Sequence, residues 1–219
     1  MTNSLLVFVE ISPKLCVRLN HNDNGELITL CRNITQSAQN AVPFKSWTTR
    51  MLSLGAFAIL KKISEETAEF VIAVCRDRPL GACEECADLI YHILLLFVGF
   101  EIQFERLFEA LQLRLNRVVF VTSLILLEEI AQKVYVDIVR DNFNKNKFES
   151  VVDAMIRELY SSVSLLTALC LRININVEAS AANISNAVCE VFINAIALLH
   201  YRGIRYQSVS DLLIARCYR

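Results

Sequence analysis

From Ser46 to the C-terminus, apolar residues recur every three or four positions, the spacing of helices that each hide one face. Ser46 is a good N-cap for a helix expected over Trp47–Cys75. Arg76–Arg78 close that helix, and Pro79 suits the first turn of the next, which is expected to run to about Gly99. Further helices are predicted over 104–116, 118–140, 148–172, 178–201 and 208–216, with a polar loop, DNFNKNK, at 141–147. Residues 1–30 differ. Two short β-prone runs, Leu5–Ile11 and Leu15–Leu19, precede the turn cluster HNDNG at 21–25. They predict either a small hairpin leading into Glu26–Cys31 or an amphipathic helix. The expected fold class is all-α, with a small N-terminal β element if the hairpin forms.

Composition narrows the class further. The 219 residues are 54% apolar and 21% charged, with 5 Gly and 3 Pro, which excludes collagen-like, low-complexity and disordered chains. So few turn formers also argue against an all-β fold. The mean hydropathy is positive and raises the question of a membrane. The uncharged apolar runs Leu89–Phe100, Val118–Leu127 and Leu159–Leu171 all fall short of the roughly 18 residues a span needs. The start lacks a basic segment and is interrupted by Glu10, so it makes a poor signal peptide. A net charge of −1 offers no basic footprint for nucleic acid or an anionic membrane, and neither is expected as a partner. The eight cysteines, scattered through helical sequence, read as small buried hydrophobes of a cytoplasmic protein. Cys83 and Cys86 form a Cys-x-x-Cys without a second pair or a nearby His to complete a zinc site.

Candidate chemistry lies in the first helical hairpin. Glu66 and Glu69 are three residues apart and share a helix face, as do Glu85 and Asp88 on the next helix. Both pairs stand two to three turns from the bend, so antiparallel packing brings them to a similar height. Four carboxylates between apolar helices repel one another and are costly to desolvate, unless a divalent cation joins them. Oxygen ligands alone point to Mg²⁺ or Mn²⁺, and such a metal typically binds phosphate oxygens as well. An isolated Glu-x-x-Glu is otherwise an ordinary solvated face.

The motifs Ser46-Trp47-Thr48, Lys61-Lys62-Ile63-Ser64-Glu65-Glu66-Thr67-Ala68-Glu69 and Glu85-Cys86-Ala87-Asp88-Leu89-Ile90-Tyr91-His92 resemble phosphoribosyl-ATP pyrophosphohydrolases. These belong to the MazG-type superfamily of all-α nucleotide pyrophosphohydrolases, whose pattern is Glu-Glu-x-x-Glu followed by Glu-x-x-Asp. The resemblance covers about residues 40–115. It implies a MazG-like helical bundle in which Glu66, Glu69, Glu85 and Asp88 hold Mg²⁺. It implies that Glu65 orients the attacking water, as base or as a supporting carboxylate. The implied reaction opens the α–β phosphoanhydride of phosphoribosyl-ATP, yielding phosphoribosyl-AMP and pyrophosphate, the second step of histidine biosynthesis. Lys61 and Lys62, with Arg50 a weaker candidate, would neutralise phosphate, though either lysine also suits a surface role. Ser46 and Thr48 would meet phosphate at the helix N-terminus, Ser46 equally serving as a plain cap. His92, one turn after Asp88, would either support that ligand or be a structural histidine. Two other readings remain open: a MazG-like house-cleaning nucleoside triphosphate pyrophosphohydrolase, and a non-catalytic helical interaction protein.

The chain thus divides into an N-terminal segment of unknown role (1–40), a pyrophosphohydrolase-like helical domain (41–117) and a helical C-terminal half (118–219). That half carries an echo of the first hairpin. Leu126–Val134 resembles Lys62–Val71, with Glu128 and Glu129 at the places of Glu65 and Glu66 and Gln132 at that of Glu69. In the same register Glu158 stands for Glu85 and Ser161 for Asp88. Arg202-Gly203-Ile204 and the helix after it resemble the family's C-terminal end instead. A decayed copy would make the chain an intramolecular pseudo-dimer with one intact metal site, in place of the family's homodimer.

Overall fold

In the computed structural model, residues 26–39, 46–115, 132–140, 150–172 and 177–217 are described, and all of their regular structure is helical. The two β-prone runs before residue 25 lie outside the described residues. Glu26 onward is helix: α1 (Glu26–Gln39) buries Leu30, Cys31, Ile34 and Ala38, a stripe at helical spacing. It lies against α2 (Trp47–Leu54) and two later helices.

The helix expected over Trp47–Cys75 is two. Ser46 opens α2 with a reciprocal capping box: Thr49 N–H donates to Ser46 Oγ at 3.2 Å, and Ser46 N–H to Thr49 Oγ1 at 3.1 Å. Gly55 then interrupts the helix at φ 85° and ψ 170°, and α3 (Ala56–Cys75) restarts directly. A left-handed φ with extended ψ is a conformation essentially reserved for glycine. One isolated Gly in a helical pattern carries no such message in sequence, so the break was not legible there.

α3 closes at Arg76, Asp77 takes φ 55°, and Pro79 begins α4 (Pro79–Gly99). From Leu89 to Val98 every side chain of α4 is buried. A helix apolar on all sides must be surrounded, and α4 is: α1, α2, α3, α8 and α9 all pack on it. After α5 (Glu105–Leu115), residues 132–140 form α6; the remainder of the helix expected over 118–140 and the 141–147 loop lie outside the described residues. Ser150 caps α7 (Val151–Cys170), accepting from Asp153 N–H at 3.1 Å. α8 (Val177–Tyr201) and α9 (Tyr206–Cys217) complete the bundle.

Two antiparallel hairpins, α3/α4 and α7/α8, form its body. The terminal helices cross between them: α5, which follows α4, packs on α8, and α9, which follows α8, packs on α4. Among the described residues one stretch, Ala181–Tyr201, is long and apolar enough to cross a membrane, contrary to the run-length expectation, because a single Glu190 does not disqualify it. Its apolar surface is otherwise used: 78% of that window is buried inside the bundle.

Two glycine substitutions separate backbone strain from space. Gly55→Ala, where nothing lies near the new methyl, is expected to cost about 1–3 kcal/mol because its φ is left-handed. Gly81→Ala, in α4 with neighbours no nearer than 3.6 Å, is expected to be neutral or to stabilise by about 0.5–1 kcal/mol. Urea unfolding of both variants against the parent measures the contrast.

Candidate active site

The hairpin bend sets the register of α3 against α4, and with it the acidic pairs. Glu66, Glu85 and Asp88 each bring a carboxylate oxygen within 4.8 Å of the other two, close enough to share one ion. Glu69 joins them from the next turn of α3 and is hydrogen-bonded to Glu85. Three of the four proposed ligands therefore share one ion-sized space, and Glu69 lies beside Glu85 at its edge.

Their environment is graded. Glu66 is buried, Glu85 and Asp88 are half-buried, and Glu69 is exposed at the rim. Desolvation pushes the Glu85 carboxyl up to about 7, helped by the charges of Glu69, Glu66 and Asp88 and by the hydrogen bond to Glu69. A carboxyl that titrates this high carries less negative charge at neutral pH, which relieves part of the repulsion. The other relief is Lys62, whose Nζ lies 2.7 Å from Glu66 and 3.0 Å from Glu65. These hydrogen bonds, Glu66 first, raise the Lys62 ammonium well above its ordinary value.

Glu65 stands apart from the four. It faces Lys62 and Lys61, the latter at 3.1 Å, and both lysines hold its carboxyl below the ordinary range, Lys62 the more strongly. Lys61 and Lys62 thus fan around the outer edge of the acidic group. Ser46 serves as a helix cap. Thr48 Oγ1 meets the hydroxyl of Tyr91 at 2.5 Å, a bond spanning 43 residues that docks α2 on α4. Arg50 lies over the ring of Trp47, 5.9 Å from its centroid, and Trp47 itself is half exposed. His92 is buried, and its Nδ1–H donates to the backbone carbonyl of Asp88 at 2.7 Å, holding the helix turn that carries this ligand candidate.

A cleft of about 620 Å³ opens beside the carboxylates toward the hairpin bend, lined by Glu69, Glu84, Glu85, Leu80 and Arg78 among others. Arg78 was missed in the sequence because a basic residue after a helix reads as its terminus. Only the bend turns it toward the cleft. Cys83 and Cys86 are buried thiols of α4 with raised pKa values, caused chiefly by desolvation. Among the described residues, the sole group of His, Cys, Asp and Glu able to share an ion is the carboxylate one.

This combination, two antiparallel helices with Glu-Glu-x-x-Glu on one and Glu-x-x-Asp on the other inside an all-α bundle, defines a carboxylate-centred helical hydrolase class. Residues 28–115 match the phosphoribosyl-ATP pyrophosphohydrolase family, a segment that takes in most of α1. The chain is 37% identical over 82 residues to the histidine biosynthesis bifunctional protein HisIE of Thermosynechococcus vestitus, covering 37% of this chain and 38% of that protein. It is 39% identical over 69 residues to the phosphoribosyl-ATP pyrophosphatase of Dechloromonas aromatica, covering 32% of this chain and 64% of that one. The phosphoribosyl-ATP pyrophosphatase of Clostridium acetobutylicum is 31% identical over 96 residues, 44% of this chain and 87% of its own. The chain therefore spans less than two thirds of the first two relatives, and more than half of it lies outside each matched segment. No solved structure is significantly similar to it. The chain belongs to the phosphoribosyl-ATP pyrophosphohydrolase family.

The Glu85 shift has a testable sign. Its folded-state value, about 7, lies above its ordinary 4.5, so the folded protein binds more protons than the unfolded chain between those limits. Stability of the metal-free protein is expected to fall as pH rises from 5 to 7. Glu85→Gln should flatten that slope and raise the melting temperature at pH 7.5 by a few degrees, as followed by circular dichroism in EDTA. An unchanged slope would mean that Glu85 does not carry the extra proton.

Proposed function

We propose that the chain hydrolyses phosphoribosyl-ATP to phosphoribosyl-AMP and pyrophosphate, using Mg²⁺, or Mn²⁺ in its place. The observation that carries this reading is the convergence of Glu66, Glu69, Glu85 and Asp88 on one space between two apolar helices. Such a set is stable at neutral pH with a cation and repulsive without one. All-oxygen donors suit a hard divalent ion, and their partial burial fits one that keeps waters on the cleft side. When bound, that ion neutralises phosphate oxygens and lowers the pKa of its water.

The chain's own groups do the rest. Lys61 and Lys62 stand at the edge of the acidic set and at present satisfy Glu65 and Glu66. A polyphosphate entering the cleft competes for those ammonium groups, with Arg78 adding charge at the far end and Arg50 and Thr48 at the α2 side. As the lysines turn to phosphate, Glu65 loses the partners that depress its basicity and becomes a better proton acceptor for the attacking water. Water adds across the α–β bridge: its hydroxyl joins one phosphorus, its proton passes to Glu65, and the bridging oxygen leaves with the other product. His92 keeps the Asp88 turn in place throughout. These assignments accord with a protein acting in the cytoplasm on a free nucleotide.

The test is pyrophosphate release from phosphoribosyl-ATP. Activity is expected to vanish in EDTA and return with Mg²⁺ or Mn²⁺. Glu69→Gln and Asp88→Asn should drop to background, while Glu65→Gln should lose about 10²–10⁴-fold in kcat, the range of a general base. Lys62→Met is expected to raise KM for the substrate. Equal rates in all variants would remove the site assignment. Hydrolysis of deoxynucleoside triphosphates without phosphoribosyl-ATP would move the chain to house-cleaning chemistry.

A further inference from the structure

We propose that the C-terminal half is a second copy of the catalytic hairpin that serves as the chain's own partner subunit, so that the protein is a monomer with one metal centre and one relic pocket. The evidence is a shared register that differs from the one expected in sequence. A shift of 96 residues carries the buried Ile63, Phe70 and Val74 of α3 onto the buried Leu159, Leu166 and Cys170 of α7. A shift of 102 carries the end of α4 onto the end of α8. Ile102 N–H donates to Phe97 O at 2.8 Å, and Ile204 N–H to Leu199 O at 3.0 Å. The left-handed residues of the two turns, Glu101 (φ 55°) and Gly203 (φ 68°), coincide as well. The buried Phe104 and Tyr206 follow at equal distance. The expected pairing of Glu158 with Glu85 and Ser161 with Asp88 is therefore incorrect. Both lie on α7, which answers to α3; Glu128 and Glu129, expected at the places of Glu65 and Glu66, fall outside the described residues.

Packing repeats the same relation. α3/α4 corresponds to α7/α8, and the exchange of α5 and α9 between the hairpins is reciprocal. That crossing is the isologous contact of two subunits, here closed within one chain. The cleft of the second hairpin is finished by Ala110, Leu113 and Arg114 of α5, from the other half, whereas the cleft of the first is lined by its own hairpin.

The second cleft, about 600 Å³, shares part of its lining with the first through corresponding positions. Leu165 stands for Glu69, Asn186 for Glu84 and Ala187 for Glu85. Ser162 takes the place of Glu66 and Asn194 that of His92; Asn194 Nδ2 donates to Ser162 Oγ at 3.0 Å, satisfying a polar pair that no longer faces an ion. Glu190, the counterpart of Asp88, is the one carboxylate kept, and Arg114 from the exchanged α5 neutralises it at 3.2 Å. A cation has one ligand there and a fixed positive charge beside it, which excludes binding.

The self-pairing stands without the catalytic reading, whereas the count of metal centres rests on it. Light scattering of the full chain is expected to give the monomer mass, 24.9 kDa, at micromolar concentration. A stable dimer would overturn the self-pairing. Mn²⁺ titration followed by electron paramagnetic resonance should show a single class of sites, lost in the double variant Glu85→Gln/Asp88→Asn and unchanged in Glu190→Gln. Mn²⁺ that survives the double variant and disappears on Glu190→Gln would overturn the relic assignment. A parent chain that binds no Mn²⁺ at all would refute the metal reading under Proposed function, and the measured mass would still judge the pairing.

Discussion

The repulsion among four carboxylates held between apolar helices is the constraint to which the rest of the structure answers. At these separations, and partly out of water, each ionised neighbour disfavours the next, and burial disfavours all of them. Three features reduce the cost: the raised pKa of Glu85, the ammonium of Lys62 against Glu66, and the exposure of Glu69 at the rim. None of them removes it. The hairpin tolerates the strain because α4 is fixed on every side by apolar packing, and because its bend, closed by Asp77 and Pro79, leaves little freedom of register. A soft core could not hold like charges together.

Apolar surface is what provides that rigidity. The positive mean hydropathy, puzzling in a chain whose uncharged apolar runs are short, is spent on two stretches buried all round, Leu89–Val98 of α4 and Val191–Leu199 of α8. The cysteines take part as small core residues. Cys31, Cys83, Cys86, Cys170 and Cys189 are buried, and desolvation pushes Cys170 and Cys189 up to about 12, far from reactive thiolates. Cys75, at the end of α3, is exposed.

What was legible in sequence follows the range of the physics. The i,i+3 spacing of Glu66/Glu69 and Glu85/Asp88, the Ser46 cap and Pro79 at a helix start are local patterns, and each lies where it was expected. Gly55 misled because a helix tolerates a lone glycine; only its φ reveals a break. Thr48 and Tyr91 are 43 residues apart, and no periodicity announces their bond. The internal copy proposed above has an echo in the sequence, at a different register. Amphipathic helices match one another at many shifts, and the alignment was drawn to the carboxylates Glu128 and Glu129, which lie outside the described residues. The buried positions and the paired turns at Glu101 and Gly203 decide the register, and burial is a tertiary fact.

The exchange of terminal helices also fixes an order of events during synthesis. α4 leaves the ribosome about a hundred residues before α9, the helix that covers one of its faces. At about 5–20 residues per second, that apolar face waits on the order of 5–20 s for its cover. The acidic hairpin is made early and completed last, so the nascent chain passes through a stage in which the apolar face of α4 is open to chaperones and to neighbouring chains.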